Sequence, residues 1–241
     1  LVSASIFSGG GIGDVGIEWG LGIPVLAACE IVPSRAKLIR RNFPHTKVFE
    51  GDVWKLAPAY AQYVRDKLNG LRPWLMTLSP PCQGMSSNGA GRISSAIRSG
   101  SRPSEDERNR LILPGIDLVE ELVPDWFLLE NVRRMENTII RNEHGEPENI
   151  LALLARRLHP LGYVIRSAIL DFRRYGVPHH RQRLITVGCR LPSIVERVHP
   201  LDDFFCEEPT VLHPVLTHGG PNLPPPVTLR EAIGQLPSLD A

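Results

Sequence analysis

The sequence lacks several features that would place it in a specialised class of protein. No apolar run approaches the roughly 18–20 residues that span a bilayer, and no secretory signal is visible. The four cysteines, Cys29, Cys82, Cys189 and Cys206, are far apart and form no C-x-x-C pair. A membrane protein, a disulfide scaffold and a zinc or other metal site are therefore not expected, and the cysteine usage fits a reducing cytoplasm.

Lysine is also scarce. Only four of the 27 basic residues are lysine, and the formal net charge is +1. Residues 156–190 contain eight arginines and one acid, whereas residues 191–241 contain seven acids and two arginines. The arginine-rich stretch is consistent with a solvated face, or with a surface whose guanidinium groups bind phosphate.

Otherwise the composition is that of a globular protein, with 241 residues, 42% hydrophobic and 22% charged. Short apolar strands alternate with helical stretches, one of which is predicted to begin at an N-cap at Ser34. This alternation predicts an α/β fold with a doubly wound, mostly parallel sheet covered by helices on both faces. We expect residues 1–190 to form one domain and residues 191–241 to be a connector.

A glycine-rich turn follows the first strand, in the sequence FSGGGIG at residues 7–13. Glycines at such a turn let the backbone approach a ligand, although a simple tight turn has the same composition. Glu30 closes the second strand, where an acid binds ribose hydroxyls or merely caps a helix or lies on the surface. Asp52 follows the third strand and adds another polar group at the same sheet edge. Three polar strand ends at one sheet edge favour a cofactor that contains a nucleoside.

Later strand ends carry groups suited to catalysis. Cys82 follows two prolines at the end of a strand, so it is placed either as a nucleophile or as an inert packed thiol. A loop rich in Gly, Ser and Arg spans residues 84–104. Glu130 and Asn131 end the next strand, and Arg181 and Arg183 are spaced to share one face of a strand.

Taken in order, these segments resemble the DNA (cytosine-5) methyltransferases. The matching segments are Phe7-Ser-Gly-Gly-Gly, Glu30, Gly51-Asp52-Val53, Pro81-Cys82-Gln83, Glu130-Asn131-Val132 and Arg181-Gln-Arg183. The resemblance implies a Rossmann-like S-adenosylmethionine-binding catalytic domain at residues 1–190, with residues 191–241 leading into a small-domain linker. It also implies double-stranded DNA as partner, a restriction-modification system, and a bacterial-type cytoplasmic location.

The resemblance further implies a role for each matched residue. S-adenosylmethionine would contact Phe7, Gly9, Gly11, Glu30, Ile31, Asp52, Val53, Pro80 and Leu111. Cys82 would add to C6 of a flipped cytosine, Glu130 would bond N3 and the exocyclic amine, and Arg183 would contact O2. Arg181 and Asn131 would support the site, while Gln83, Ser86 and Arg92 would belong to the loop that closes on DNA.

The chain also departs from the family pattern. Ser5-Ile-Phe7 replaces the family's Asp-Leu-Phe, Ile12 replaces a glycine, and His179 stands where glutamine is common, so its role is open. The family's target-recognition domain and C-terminal motifs have no match. A catalytic subunit whose partner carries these parts is expected, ahead of a shortened chain or a degenerate protein that only binds.

Three other functions remain open from the sequence. An RNA cytosine-C5 methyltransferase is built on the same motifs, and a silent cofactor-binding scaffold would keep the fold without the chemistry. A nicotinamide oxidoreductase would use Gly11, Gly13 and Gly16 as its dinucleotide loop. Cys82-Gln83 and Glu130-Asn131 argue against the last of these.

Overall fold

The computed structural model describes residues 1–82, 107–198 and 205–237. Its strands are β1 (Ser3–Ile6), β2 (Val25–Glu30), β3 (Lys47–Glu50), β4 (Leu75–Leu78), β5 (Trp126–Asn131), β6 (Ile139–Arg141), β7 (Pro147–Asn149), β8 (Val164–Asp171), β9 (Gln182–Cys189) and β10 (Phe205–Cys206). Its α-helices are α1 (Ile12–Leu21), α2 (Pro33–Asn42), α3 (Val53–Lys67), α4 (Ile112–Leu122), α5 (Ile150–Leu158), α6 (Pro192–Val195) and α7 (Leu229–Ile233). None of these helices is long and apolar enough to cross a membrane.

Eight strands form one sheet in the order β10-β8-β9-β5-β4-β1-β2-β3. The strands from β5 to β3 are parallel to one another, and β9 lies antiparallel between β5 and β8. The chain order reverses at β1, which has β4 on one side and β2 on the other. The predicted α/β fold with a mostly parallel sheet is confirmed, and ligands bind such sheets beyond the carboxyl ends of the strands.

Helices cover the two faces of the sheet. The larger core joins α3, α4 and α5 to the central strands, through buried side chains such as Tyr60, Ile116 and Leu154. A smaller core packs Ile39 and Phe43 against β2 and β3 on the side of α2. The apolar side chains of the strands therefore fix the sheet, and with it the relative positions of the strand ends.

The start of α2 and the hairpin β6–β7 differ from what the sequence predicted. The helix α2 has its N-cap at Val32 with Pro33 at the first position, so the predicted cap at Ser34 is wrong. Proline suits this position because its missing N–H is not needed there. The hairpin β6–β7 was not predicted, because strands of three residues carry too little alternation to be seen.

The segment after residue 190 contacts the sheet in two places. β10 pairs with β8, and the imidazole of His213 lies buried, with Nε2 3.0 Å from the carbonyl oxygen of Ile185. Burial lowers the pKa of His213, because the charged imidazolium is disfavoured away from water. The division into a domain of residues 1–190 and a connector stays a prediction.

Candidate active site

A cavity of about 450 Å³ opens at the carboxyl ends of β1, β2, β3 and β4. This volume suits a ligand of the size of a nucleoside derivative. Its lining consists of Phe7, Gly9, Cys29, Glu30, Ile31, Val32, Arg35, Gly51, Asp52, Val53, Ser79, Pro81, Cys82, Arg108 and Leu111. Seven of the residues assigned to the cofactor on sequence grounds are in this list: Phe7, Gly9, Glu30, Ile31, Asp52, Val53 and Leu111.

The glycine-rich turn is tied to β2 by backbone and side-chain hydrogen bonds. The N–H of Ser8 donates to the carbonyl of Cys29 at 3.1 Å, and the N–H of Gly9 donates to Oε2 of Glu30 at 2.8 Å. The other carboxylate oxygen of Glu30 accepts from the N–H of Val32 at 2.8 Å. Glu30 is therefore a buried carboxylate that is held in position by two amides.

Asp52 lies between β3 and α3 and is the N-cap residue of α3. Its Oδ1 accepts from the N–H of Trp54 at 3.1 Å, which fixes the side chain at the start of the helix. Val53, the first residue of α3, packs below it in the core and also lines the cavity. This arrangement suits an aromatic ring that carries an amino group, because the carboxylate can accept from the amino group while the ring packs on the apolar side chain.

Two residues assigned to the cofactor lie outside the lining. Gly11 is the N-cap of α1 with φ +80°, and a Cβ there would lie 2.9 Å from Cε2 of Phe43. Glycine is therefore needed at this position for the turn and the packing. Pro80 is buried, and its neighbour Pro81 faces the cavity instead.

Cys82 reaches the same cavity from the end of β4. It is a free, half-buried cysteine, and it lines the cavity together with Glu30 and Asp52. The buried side chain of Asn131 donates from Nδ2 to the carbonyl of Pro80 at 3.0 Å and accepts from the N–H of Val132 at 2.8 Å. The end of β5 thus holds the backbone two residues before the thiol.

Glu130 and Arg183 form an ion pair at the junction of β5 and β9. Nε of Arg183 lies 2.9 Å from Oε1 of Glu130, and Nη1 donates to the carbonyl of Gln182 at 2.7 Å. Both side chains are partly buried. Arg181 is exposed and directly precedes β9, so of the two arginines only Arg183 lies within that strand.

Comparison with known proteins identifies the family. The profile described as C-5 cytosine-specific DNA methylase matches residues 1–222. The chain belongs to this family. The predicted class, DNA (cytosine-5) methyltransferase, and its methyl donor, S-adenosylmethionine, are therefore confirmed at the level of the family.

Curated proteins similar to this chain include Type II methyltransferases. It is 28% identical to the Type II methyltransferase M.AquIA of Picosynechococcus sp. over 97% of this chain and 88% of that protein. It is 33% identical to M.AgeI of Thalassovita gelatinovora over 66% of this chain and 33% of that one. It is 31% identical to M1.HgaI of Avibacterium volantium over 77% of this chain and 49% of that protein. The chain therefore spans less than half the length of M.AgeI and of M1.HgaI.

Solved structures agree on the fold. A DNA modification methyltransferase encoded within an Escherichia coli prophage superposes with a TM-score of 0.66, at 24% identity, over 99% of this chain and 56% of that one. The DNMT2 of Spodoptera frugiperda superposes with a TM-score of 0.54, at 24% identity, over 79% of this chain and 50% of that one.

The residues of the methylase cavity fit the family's cofactor. An ionised carboxylate has about four acceptor positions, and backbone amides take two of those on Glu30. The remaining positions suit the two hydroxyls of a ribose. The second oxygen of Asp52 is similarly suited to an amino group, because the N-cap bond involves only Oδ1.

The methylase cavity contains two thiols, and their surroundings differ. Burial raises the pKa of Cys29 to about 12, with further increases from the negative charges of Glu30 and Asp52. Cys29 therefore stays protonated at neutral pH and is unsuited to nucleophilic attack. Cys82 is the thiol of this cavity that remains for that role.

Several lining residues escaped the motif-based prediction. Arg35, Val32 and Arg108 line the cavity without belonging to a matched segment. Val32 and Arg35 come directly after Glu30 at the start of α2, and that proximity in sequence was the available signal. Nothing in the sequence indicated Arg108.

Four further residues were singled out in the sequence: Gln83, Ser86, Arg92 and His179. Gln83, Ser86 and Arg92, with the rest of the loop at residues 84–104, lie outside the described residues. The side chain of His179 is exposed, and the backbone N–H of this residue donates to the carbonyl of Val177 at 2.7 Å. Within the described part of the chain, no three His, Cys, Asp or Glu side chains are grouped as metal ligands.

Proposed function

We propose that this chain methylates C5 of cytosine in double-stranded DNA through a transient covalent bond to Cys82. One observation carries the proposal: a single cavity is lined both by the carboxylates of Glu30 and Asp52 and by the thiol of Cys82. A nucleoside-binding site and a nucleophile therefore open into the same space, as methyl transfer to a nucleobase requires.

Residues of the parallel sheet hold the cofactor. Glu30 accepts hydrogen bonds from the ribose hydroxyls, and Asp52 accepts from the adenine amino group. Ile31 and Val53 pack on the adenine. The remaining contacts are made by Phe7, Gly9 and Leu111, whereas Gly11 and Pro80 shape the turns next to the cavity. S-adenosylmethionine, when bound, supplies an electrophilic methyl group.

Cys82 makes the base reactive. C5 of cytosine is a poor nucleophile, so the thiolate of Cys82 adds to C6 and the ring electrons move towards C5. C5 takes the methyl group as the methyl–sulfur bond breaks, with S-adenosylhomocysteine as the leaving group, and a base then removes the C5 proton. The electron pair of that C–H bond restores the ring double bond, and the Cys82 sulfur leaves as a thiolate. The enzyme thiolate is regenerated and no oxidant is needed.

Glu130 and Arg183 act as a pair on the base. Glu130 bonds N3 and the exocyclic amine and stabilises the charge that develops during attack. Arg183 contacts O2 of the base, and its bond to Oε1 of Glu130 orients the carboxylate. Asn131 positions the segment of Cys82 through the carbonyl of Pro80, and Arg181 supports the site.

The base reaches this site only outside the duplex. Extrusion costs about a few kcal/mol, which contacts to the DNA backbone offset. We assign Gln83, Ser86 and Arg92 to those contacts. The modification serves a restriction-modification system, in keeping with the Type II methyltransferases among the relatives.

We also propose that a second polypeptide supplies target recognition. Two observations support it. The M.AquIA relative is covered over 88% of its own length, so a curated methyltransferase of similar span exists. In addition, α1 exposes Ile12 and Trp19 at 82% and 80%, which leaves an apolar face for a partner to cover.

The covalent step is tested with duplex DNA that contains 5-fluorocytosine. Fluorine replaces the C5 proton that must leave, so Cys82 remains bonded to the base and the complex is seen in a denaturing gel. We expect an adduct with the wild-type chain, S-adenosylmethionine and the protein that supplies recognition. Cys82→Ala abolishes it. Cys206→Ala, which removes a free cysteine of similar exposure elsewhere, leaves the adduct intact.

The outcomes separate the alternatives. Loss of all adducts with folded, cofactor-bound protein contradicts the mechanism, as does an adduct that survives Cys82→Ala. Full activity of a Cys82→Ala complex indicates a scaffold subunit. Parallel assays with duplex DNA and tRNA distinguish a DNA enzyme from an RNA enzyme, and we expect methyl transfer to duplex DNA.

A further inference from the structure

Residues 205–218 form a segment that packs on one face of the sheet, and we call this segment the strap. The strap begins with β10, which pairs with β8. Its residue Leu212 packs against a separate small core whose buried side chains come from β8 and β9. Those side chains are Ala168, Leu170, Ile185 and Val187. The strap therefore covers the face of the sheet on which this core lies.

The ion pair of Glu130 and Arg183 lies on the same face. Side chains along a strand alternate between the two faces of a sheet. On β5, Leu128 packs against the core under the strap, so Glu130, two residues later, is on that face as well. On β9, Ile185 belongs to this core, and Arg183 comes two residues before it. The strap thus packs on the face that presents both members of the ion pair.

A buried histidine joins the strap to β9. His213 is 6% exposed, and its Nε2 lies 3.0 Å from the carbonyl oxygen of Ile185. Nδ1 of His213 accepts from the backbone N–H of Thr210 at 3.1 Å. The ring proton is therefore on Nε2, which donates it to the carbonyl of Ile185. Since both ring nitrogens have partners, the imidazole is neutral and its orientation is fixed.

The carbonyl that accepts from His213 lies next to the ion pair. In the register of the two strands, Ile185 of β9 is opposite Glu130 of β5. Arg183 is two residues away from Ile185, and its Nε lies 2.9 Å from Oε1 of Glu130. A displacement of β9 at Ile185 therefore changes the geometry of the ion pair directly.

The strap also holds the connection between β8 and β9, residues 172–181. The backbone N–H groups of Thr217 and His218 both donate to the carbonyl of Arg174, each at 3.0 Å. In addition, Nη1 of Arg174 lies 2.6 Å from Oε2 of Glu208. Because this connection leads into β9, the strap restrains the start of the strand as well as its middle.

We propose that the strap positions the ion pair of Glu130 and Arg183 for contact with the base, with His213 as the positioning residue. Without the bond from His213, β9 shifts relative to β5, and the two charged groups no longer match N3 and O2 of the base. Cofactor binding does not depend on the strap, because the strands that line the cofactor cavity lie on the other side of β5. The contact with the base rests on the proposed function, whereas the positioning of the ion pair does not.

The first measurement needs no DNA. The Nε–H of Arg183 is donated into an ion pair, so its NMR signal exchanges slowly with solvent, and Arg183→Lys assigns that signal. We expect His213→Phe, which fills the space without either hydrogen bond, to speed up this exchange about tenfold, the scale of one buried hydrogen bond. His213→Gln, whose amide can still donate to Ile185, stays within about twofold of the wild type.

Two further variants keep this measurement decisive. Thr46→Val is the matched control, because the buried Thr46 hydroxyl donates to the carbonyl of Val25 at 2.7 Å, at the amino end of β2. It loses a buried hydrogen bond but leaves exchange at Arg183 unchanged. Tyr175→Phe removes a second bond to the strap, from the Tyr175 hydroxyl to the carbonyl of Pro214 at 3.3 Å, and creates no cavity. We expect it to speed up exchange about twofold, and it decides the question if His213→Phe does not fold.

Methyl transfer to duplex DNA gives the functional readout, with S-adenosylmethionine and the protein that supplies recognition present. We expect His213→Phe to lower kcat about tenfold and to leave the dissociation constant of S-adenosylmethionine unchanged. His213→Gln recovers most of the rate, and Thr46→Val transfers at the wild-type rate.

Four results overturn the inference. The first is unchanged exchange at Arg183 in His213→Phe, or in Tyr175→Phe where only that variant folds. The second is equally fast exchange in Thr46→Val, which indicates general loosening of the fold. The third is fast exchange with an unchanged kcat, and the fourth is a parallel loss of cofactor affinity. A wild-type chain without methyl transfer contradicts the proposed function instead, and the exchange measurement then still decides whether the strap positions the ion pair.

Discussion

The buried carboxyl of Asp14 leads to a prediction about how stability depends on pH. Burial raises the pKa of this carboxyl from its ordinary 3.8 to about 6, and Glu18 adds to the rise while Ser5 opposes it. The folded protein therefore holds a proton that the unfolded chain has released over the interval from about pH 4 to pH 6. Stability falls as the pH rises through this interval, and the charged form is a cost at neutral pH.

The size of that cost follows from the shift. About two pKa units at about 1.36 kcal/mol each give an upper figure near 3 kcal/mol. We expect Asp14→Asn to raise the free energy of unfolding at pH 8 by about 1–3 kcal/mol, since the amide still needs a partner for its polar atoms. Most of the gain is lost by pH 4, because the carboxyl of the folded protein is then neutral, and it disappears below about pH 3, where the carboxyl is neutral in both states.

Urea unfolding followed by tryptophan fluorescence measures this difference at pH 8 and pH 4. Each kcal/mol corresponds to a rise in melting temperature of roughly 2–4 °C for a chain of this size. Asp66→Asn is the matched control, because Asp66 is an exposed aspartate on α3 and should change stability by less than about 0.5 kcal/mol at either pH. An Asp14→Asn chain that is less stable than the wild type at pH 8, or equally altered at both pH values, would refute the reasoning.

Three further predictions follow from other contacts. Tyr60→Phe should lower the free energy of unfolding, measured by urea titration, by about 1–2 kcal/mol. The buried hydroxyl of Tyr60 lies 3.0 Å from the carbonyl oxygen of Ser5 and 3.1 Å from that of Ala27, so it links β1 to β2. A Tyr60→Phe chain of wild-type stability would contradict this bridge. Gly188→Ala should lower the free energy of unfolding by about 3 kcal/mol or prevent folding, because a Cβ there would lie 1.9 Å from the ring of Phe127. Circular dichroism and the yield of soluble protein measure this effect. An unchanged yield would contradict the packing. Asn131→Ala should reduce kcat about tenfold or more while leaving the affinity for S-adenosylmethionine unchanged, because it releases the carbonyl of Pro80 and not the cofactor cavity. Equal losses in kcat and in cofactor affinity would show that Asn131 acts on the whole sheet edge.

The sequence could predict the edge of the sheet at which the site lies. Glu30, Asp52 and Cys82 each follow a short apolar run, and parallel strands bring their carboxyl ends to one edge. No knowledge of side-chain contacts is needed for that inference, since it depends only on strand periodicity and on the right-handed crossovers of such sheets.

Contacts that depend on register could not be predicted. The ion pair of Glu130 with Arg183 exists because β9 runs antiparallel beside β5, with Asn131 opposite Leu184. A shift by one residue would move Arg183 to the other face. The same limit applies to the two prolines before Cys82, of which Pro81 and not Pro80 lines the cavity.

Asp14 was missed for a different reason. Its helix is rich in apolar residues, and helical periodicity then places the apolar side chains on the buried face and the acid in water. The structure has the reverse, with Trp19 exposed and Asp14 buried. A segment that violates the hydrophobic pattern in this way marks either an interface on its exposed side or a function on its buried side.

The buried carboxylates of Glu30, at the end of β2, and Asp14, on α1, differ in their effect on stability. Glu30 accepts from two backbone amides, so its charge is compensated before any ligand arrives. Asp14 has an oxygen without a partner among the described residues and a raised pKa, so its charge opposes folding at neutral pH. The charge of Glu30 is therefore compatible with a stable fold, whereas the charge of Asp14 lowers the stability of the folded protein at neutral pH.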